Sequence, residues 1–456
     1  MDIVLQKGAE NMNKVIYLLN MRVSGVKCIK EEVRLDFYKK TVDKKFDPEK
    51  YRIKAIYGEN GSGKSALITA VKIFRHLIMD TNYLTESQTQ SFLEEILNKT
   101  TQVFQFGFEF LLDMETEYVV YRYFIQLGKN KNGLYEIQYE TLESKNGNYA
   151  NNNYKTIFEC KNGELIYALC SEVTKERLEK TTVNLLFTHS FIYLFLSSID
   201  KIAPSGEKFT DKDFLFDVLV GASAPLCVKT YIAEEDQHEL YFLQKNLKEN
   251  SLDHEILQAA LSAYGNSGDF FAGVSEKFIQ KKHYNKYKEK VGRLTRFIKI
   301  FKPDLISIDI DAKEDGDQYV CDLNLNYGDY LINKEFESTG IKKLIRLFDC
   351  LMFVSTGGIA FVDEMDSNLN DVYLCKLIEY FMYYGKGQLC FTTHNIDPMS
   401  VLKENKNSID FLSSDNHLIP WASRGNATPE NCYKNGMIED LPFNVEASDF
   451  VGIFGE

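Results

Sequence analysis

Tryptophan occurs once and proline eight times in these 456 residues, and no apolar run approaches the length of a membrane span. The longest apolar candidate, residues 191–199, is too short and is broken by Ser197 and Ser198. The first fourteen residues lack the apolar centre of a signal peptide. Nine cysteines are present, yet none sits in a C-x-x-C pair or beside histidine at zinc spacing, which argues against a disulfide framework and a structural metal. Most are expected to be buried as small hydrophobes. An excess of positive charge is also missing: 66 acidic against 53 basic residues leave a net charge of -13. Such a surface repels nucleic acid and acidic lipid as a whole, so any nucleic-acid contact must be local. These absences describe a soluble cytoplasmic protein with no membrane partner. The shortage of tryptophan and proline beside abundant Lys, Asn, Ile, Tyr and Phe reflects base composition and carries no function.

What is present starts at residue 58. Gly58-Glu59-Asn60-Gly61-Ser62-Gly63-Lys64-Ser65 fits G-x-x-x-x-G-K-[ST], between an apolar strand pattern at 53–57 and a helical pattern at 66–79. Small residues let backbone N–H groups curl round a polyphosphate, and the following helix aims its N-terminus at the charge. Lys64 would reach the β- and γ-phosphates, and the Ser65 hydroxyl would join the shell of a Mg²⁺ ion. Gly58, Asn60, Gly61, Ser62, Gly63, Lys64, Ser65 and Ala66 form the expected nucleotide-binding set. The competing reading is a structural glycine-rich turn, which the flanking strand and helix disfavour.

With 44% hydrophobic residues the chain can fill two or three domains, or one large domain with an insertion. Apolar alternation at 15–37 predicts a strand pair, and 104–112 with 118–127 predict a hairpin, followed by short strands between Asn/Gly turns. From 171 to about 302 the pattern turns helical. Residues 240–264 and 284–301 carry apolar seams at three-four spacing and read as an antiparallel helical pair. Residues 276–302 hold ten Lys/Arg against two acidic residues, whereas 234–264 hold seven acidic residues against two Lys. A nucleic-acid track is one reading of the basic helix, with Tyr284 and Tyr287 available for stacking; mutual neutralisation of the two arms is the better one. Strands return at 305–311 and 319–325.

The last third is ordered as a series. Ser338 caps a predicted helix, the apolar strand 359–362 ends in Asp363-Glu364, and the strand 388–391 ends in Thr392-Thr393-His394. Opposite a phosphate loop, Asp363 would hold the Mg²⁺ shell and Glu364 would polarise the attacking water as general base. His394 could contact the γ-phosphate or order the water; a lone histidine is more often structural.

Phosphate loop, Glu337-Ser338-Thr339-Gly340, Asp363-Glu364, Asp366 to Asn370 and His394, in that order, resemble the motif series of the ABC-type ATPases of the SMC, RecF and OLD kind. Within that class the chain looks most like the "AAA family ATPase" proteins of AAA15/AAA21 type found in abortive-infection and phage-defence loci. The likeness covers 15–79 and 303–456, including the 436–443 tail, and the middle in outline. It implies an α/β fold: a P-loop ABC-type ATPase head of mixed sheet and helices, with a β-rich subdomain and an inserted helical arm. The expected division is 1–170 for the N-terminal lobe with the phosphate loop and β-rich subdomain, 171–302 for the helical insertion, and 303–456 for the C-terminal lobe.

The resemblance also implies ATP and Mg²⁺ as cofactors, catalytic roles for Lys64, Glu364 and His394, and metal contacts from Ser65 and Asp363. It further implies a homo-oligomer, either a head-to-tail dimer or a higher assembly of dimers. Ser338 and Gly340 would there touch the γ-phosphate held by a second chain, and Asp366 would belong to the D-loop spanning the pair. The family's Q-loop glutamine has no convincing counterpart, since neither Gln102 nor Gln105 has the right context. After His394, 62 residues remain, too few for the nuclease domain of OLD-type relatives. A nuclease or toxin effector is therefore expected as a separate polypeptide. The competing functions are a RecF-type DNA-repair ATPase and an ATP-binding scaffold with little turnover.

Overall fold

The computed structural model describes residues 15–80, 82–114, 117–149, 151–202, 210–232, 273–275, 277–403, 405, 407–422, 427–438 and 453. Strands are numbered along the chain, and three sheets organise them. The largest has the order β2-β1-β4-β5-β6-β7-β8, formed by β1 Val15–Ser24, β2 Val33–Asp36, β4 Val103–Asp113, β5 Tyr118–Lys129, β6 Tyr135–Asn146, β7 Lys155–Lys161 and β8 Glu164–Ala168. All its pairings are antiparallel. The expected hairpin is its centre. Period-two alternation puts Phe104, Phe106, Phe108 and Phe110 on one buried face, where Phe106 stacks on Phe74 at 4.5 Å between ring centres.

The second sheet runs β17-β16-β3-β15-β14-β9, with β3 Ile53–Gly58, β9 Val228–Tyr231, β14 Ile359–Val362, β15 Gln388–Thr392, β16 Ile409–Leu412 and β17 Leu418–Pro420. All but the edge pair β16–β17 are parallel. Both faces of this sheet are covered, which is why its strands read as unbroken apolar runs. On one face lie Ile56, Phe361 and Cys390, in a single core with the helix Lys64–Met79 and the antiparallel sheet. That helix is buried at fourteen of its sixteen positions because it packs against both sheets. Tyr57, Val362 and Phe391 on the other face meet the helices Thr339–Ser355 and Asp371–Tyr384.

Gln388 fastens the two sheets together. Its Oε1 accepts from Leu18 N at 2.6 Å, and its Nε2 donates to the carbonyls of Leu18 and Tyr51 at 2.9 and 3.0 Å. Leu18 sits where the β1–β4 register slips, so the glutamine satisfies backbone groups that the bulge leaves unpaired.

The third sheet joins β10 Phe278–Gln280, β11 Ser307–Asp315, β12 Gln318–Asn326 and β13 Leu331–Asn333. The seam of the basic helix Tyr284–Phe301 is present: Tyr287, Val291, Leu294 and Ile298 are buried, with Tyr284 and Phe301 at its edges. Its described partners are Leu323 and Leu325 of β12 and Ile345 and Phe348 of the helix Thr339–Ser355. The acidic arm expected at 234–264 lies outside the described residues, as do 439–443 of the tail. Lys286, Lys288, Arg293, Arg296 and Lys299 face outward from the basic helix.

The stretch read as helical does contain the helices Glu172–Thr182, Phe191–Ser197, Ile199–Ile202 and Lys212–Leu226. It also contains two strands that periodicity missed, β9 and β10. Four and three residues are too few to show a period, and β9 exists because the parallel ladder of β14 supplies its hydrogen bonds.

Candidate functional site

β3 ends at Gly58 and the helix opens at Lys64, so residues 59–63 form the expected loop at the C-terminal edge of the parallel sheet. Glycine is required at both ends. A Cβ on Gly58 would lie 2.4 Å from the Leu412 carbonyl oxygen, and Gly63 has a left-handed φ of 103°. Lys64 Nζ donates to the carbonyls of Gly58 and Glu59, both at 2.8 Å. Two outside side chains brace the loop: Asn416 Nδ2 donates to Ser62 O at 2.8 Å, and the Cys28 thiol to Gly61 O at 3.3 Å. Ser62 Oγ is buried without a hydrogen-bond partner among the described residues. Ser65 is half-buried in the first helical turn, Ala66 is buried beneath it, and Asn60 and Gly61 are exposed at the rim.

Asp363 and Glu364 follow β14, which is separated from β3 by β15 alone. One hydroxyl organises both acids: Thr392 Oγ1 donates to Asp363 Oδ1 at 2.6 Å and accepts from Glu364 N at 2.7 Å. Asp363 N in turn donates to Tyr231 O at 2.8 Å, at the end of the unexpected strand β9. Glu364 has a left-handed φ of 46°, a conformation that costs a non-glycine residue on the order of 1–2 kcal/mol and so needs fixed partners. Its side chain is exposed. Asp366 turns inward, Oδ2 accepting from His394 N at 3.4 Å.

Lys64, Asp363, Glu364, Asp366 and His394 feel one another electrostatically. The Lys64 pKa is lowered by burial, with Asp363, Glu364 and Asp366 pulling the other way. The His394 pKa is lowered first by lost hydration and then by Lys64, against Asp366, Glu364 and Asp363. A neutral imidazole at His394 is therefore the favoured state near pH 7. Residue 64 and two stretches at least 299 positions further along the chain, 363–366 and 394, thus face a common space.

Ser338 does cap its helix, Oγ accepting from Ile341 N at 3.4 Å. A Cβ on Gly340 would stand 2.9 Å from the carbonyl oxygen of Asn368, so this helix start abuts the 366–370 turn of its own chain. No hydrogen bond among the described residues joins Ser338 or Gly340 to the phosphate loop. Gln105 is used inside the antiparallel sheet, accepting from Ser24 and donating to Gln126. Gln102 is exposed with a left-handed φ of 50°.

Sequence reasoning missed Thr392, Asn416, Tyr231 and Lys343. The first three carry no pattern. Lys343 had a signal: it continues the buried row Leu347, Cys350, Val354 at helical spacing, and a cation in such a row needs a reason.

The Ser65 hydroxyl and the Asp363 carboxylate are hard oxygen donors, and Mg²⁺ uses few protein ligands when phosphates and waters supply the rest. Among the described residues no group of three or more His, Cys, Asp or Glu is placed to hold a metal ion.

No family model and no curated protein matches this chain. Among solved structures, the recombination mediator protein RecF-ATPrS of the RecFOR pathway is similar at 14% identity and a TM-score of 0.38, over 90% of this chain and 99% of that one. An Smc head domain with a coiled coil and joint, derived from Pyrococcus yayanosii, is similar at 12% identity and a TM-score of 0.38, over 90% of this chain and 97% of that one. No helix among the described residues is long and apolar enough to cross a membrane.

Proposed function

We propose that the chain is an ABC/SMC-like ATPase that binds and hydrolyses ATP. The observation that carries this reading is the Thr392 hydroxyl held between Asp363 and Glu364 N, one strand away from a phosphate loop whose lysine senses the same acids. The loop amides and Lys64 bind the phosphates, and Glu364 takes the proton of the attacking water. His394, kept neutral, orders that water or the γ-phosphate. A Mg²⁺ ion held by Ser65 and Asp363 would supply charge neutralisation of the phosphates.

Nucleotide closes two heads head to tail, Ser338 and Gly340 of each completing the site of the other. The assembly senses a trigger in bacterial anti-phage defence and releases or activates a separate effector, a nuclease or a toxin. Support for that role is the motif series, and for dimer closure the capped, accessible helix start at Ser338.

Glu364→Gln tests the core of the reading. Phosphate release should fall about 10²- to 10⁴-fold while ATP binding persists, measured by steady-state turnover beside equilibrium binding. Equal turnover in both proteins would leave an ATP-binding scaffold as the function.

A further inference from the structure

Lys343 stands in the first turns of the helix that Ser338 caps, on its buried side, and is 4% exposed. Its ammonium does not reach for solvent. Nζ donates to the carbonyls of Glu364 at 2.5 Å, Met365 at 3.2 Å and Ser367 at 2.7 Å, and to Ser367 Oγ at 2.6 Å. Three N–H groups thus serve four oxygens gathered from three residues of one turn, Glu364, Met365 and Ser367. Burial holds the lysine's pKa down to about 8, against the pull of Asp366, Glu364 and Asp363. A buried cation is an expensive way to fill space, so its placement calls for a task that an apolar side chain could not perform.

The task is visible at Glu364. This residue holds a left-handed backbone, and side chains fasten both of its peptide groups: Thr392 Oγ1 accepts from its N–H, and Lys343 donates to its C=O. From the same helix, Gly340 lies against Asn368 with no room for a side chain. The 364–368 turn is therefore gripped from the Ser338 side of the head at two points.

We propose that Lys343 is the positioning residue for Glu364, clamping the backbone of residues 364–367 to the helix that opens at Ser338 and so fixing where the Glu364 carboxylate points. The proposal rests on the reading of Glu364 as the base. It adds a physical link between the two halves of the composite site, since whatever engages the helix at Ser338 acts on a helix bolted to the catalytic turn.

Lys343→Met tests it in the full chain. The expected result is a fall in kcat of about tenfold to a hundredfold with the KM for ATP within about twofold, because Lys343 touches the turn and not the phosphates. Hydrogen exchange should quicken at the Ser367 and Leu369 amides, which close the turn onto Glu364 O and Asp366 O, and stay unchanged along the helix Asp371–Tyr384. Lys343→Arg should recover part of kcat. In a Glu364→Gln background the methionine should cost nothing further, as befits a residue acting through that carboxylate.

Wild-type kcat and exchange in Lys343→Met would overturn the clamp; so would a kcat loss that adds fully to that of Glu364→Gln. Faster exchange throughout the head with a lowered melting temperature would reduce Lys343 to a structural residue. Should the methionine variant not fold, Ser367→Ala removes one of the four acceptors and carries the same test at a several-fold effect. If the wild type binds ATP without turning it over, the base assignment fails, and the exchange at Ser367 and Leu369 still judges the clamp.

Discussion

The two large sheets solve different problems with similar material. The antiparallel sheet is assembled from neighbours in sequence, β4 through β8 following one another as hairpins, and it buries a fully enclosed carboxylate, Glu140. Tyr123 Oη donates to one oxygen of that acid and Phe191 N to the other, both at 2.7 Å. The parallel sheet gathers strands that begin at residues 53, 228, 359, 388 and 409; inside it the buried charges Lys54 and Asp410 neutralise each other at 2.9 Å, whereas Lys64 and Asp363 lie past the strand ends. Connections between parallel strands must cross the sheet, so their carboxyl ends collect loops from distant parts of the chain. A buried charge inside the first sheet is a matter of stability; past the strand ends of the second, on the proposed function, it is a matter of chemistry.

Three substitutions can break that contrast. Lys64→Ala should weaken ATP binding about a hundredfold or more, from the loss of charge-assisted contacts, with little change in melting temperature. Equilibrium binding beside thermal unfolding checks it, and a large fall in melting temperature would make Lys64 a structural lysine like any other.

Glu140→Gln should do the reverse. The Glu140 pKa is raised from 4.5 to about 7 by burial, opposed by hydrogen bonds from Tyr123 and from the Phe191 and Ile192 backbones. The folded state therefore holds this proton more tightly than the unfolded chain. Its stabilising effect is complete below about pH 4.5 and is lost as pH rises through about 7, a swing on the order of 3 kcal/mol. Glutamine should flatten the stability profile between pH 5 and 7 and leave ATP turnover at pH 7 unchanged, as denaturant titrations and turnover assays would register.

Gly340→Ala should have the smallest effect and the least intuitive sign. Alanine is the better helix former by roughly 1 kcal/mol, yet its Cβ would press the Asn368 carbonyl from 2.9 Å. Turnover should drop about tenfold while the melting temperature holds or rises. A fall in stability with unchanged turnover would detach Gly340 from the 364–368 turn's proposed role.

Most of what is local was legible. The loop from Gly58 to Ser65, the Ser338 cap, the strands ending at Asp363 and Thr392 and the central hairpin all follow from residue type and period, because each is decided within a dozen residues. The seam of the basic helix was legible too, but its partner was not: the same apolar row can meet a helix or a sheet. Strands β9 and β10 were invisible for want of length. The bracing of the loop by Asn416 and Cys28 joins residues with no sequence relation to it.

The sequence by itself determined that a phosphate loop, a capped helix and an acid pair occur in this order, since glycine, serine and apolar spacing act through short-range sterics and hydrogen bonds. Only the tertiary structure decided that Thr392 bridges Asp363 and Glu364, and that Lys343 holds the turn between them and Ser367. Those contacts depend on which strands lie side by side, and strand order is set by burial over the whole chain.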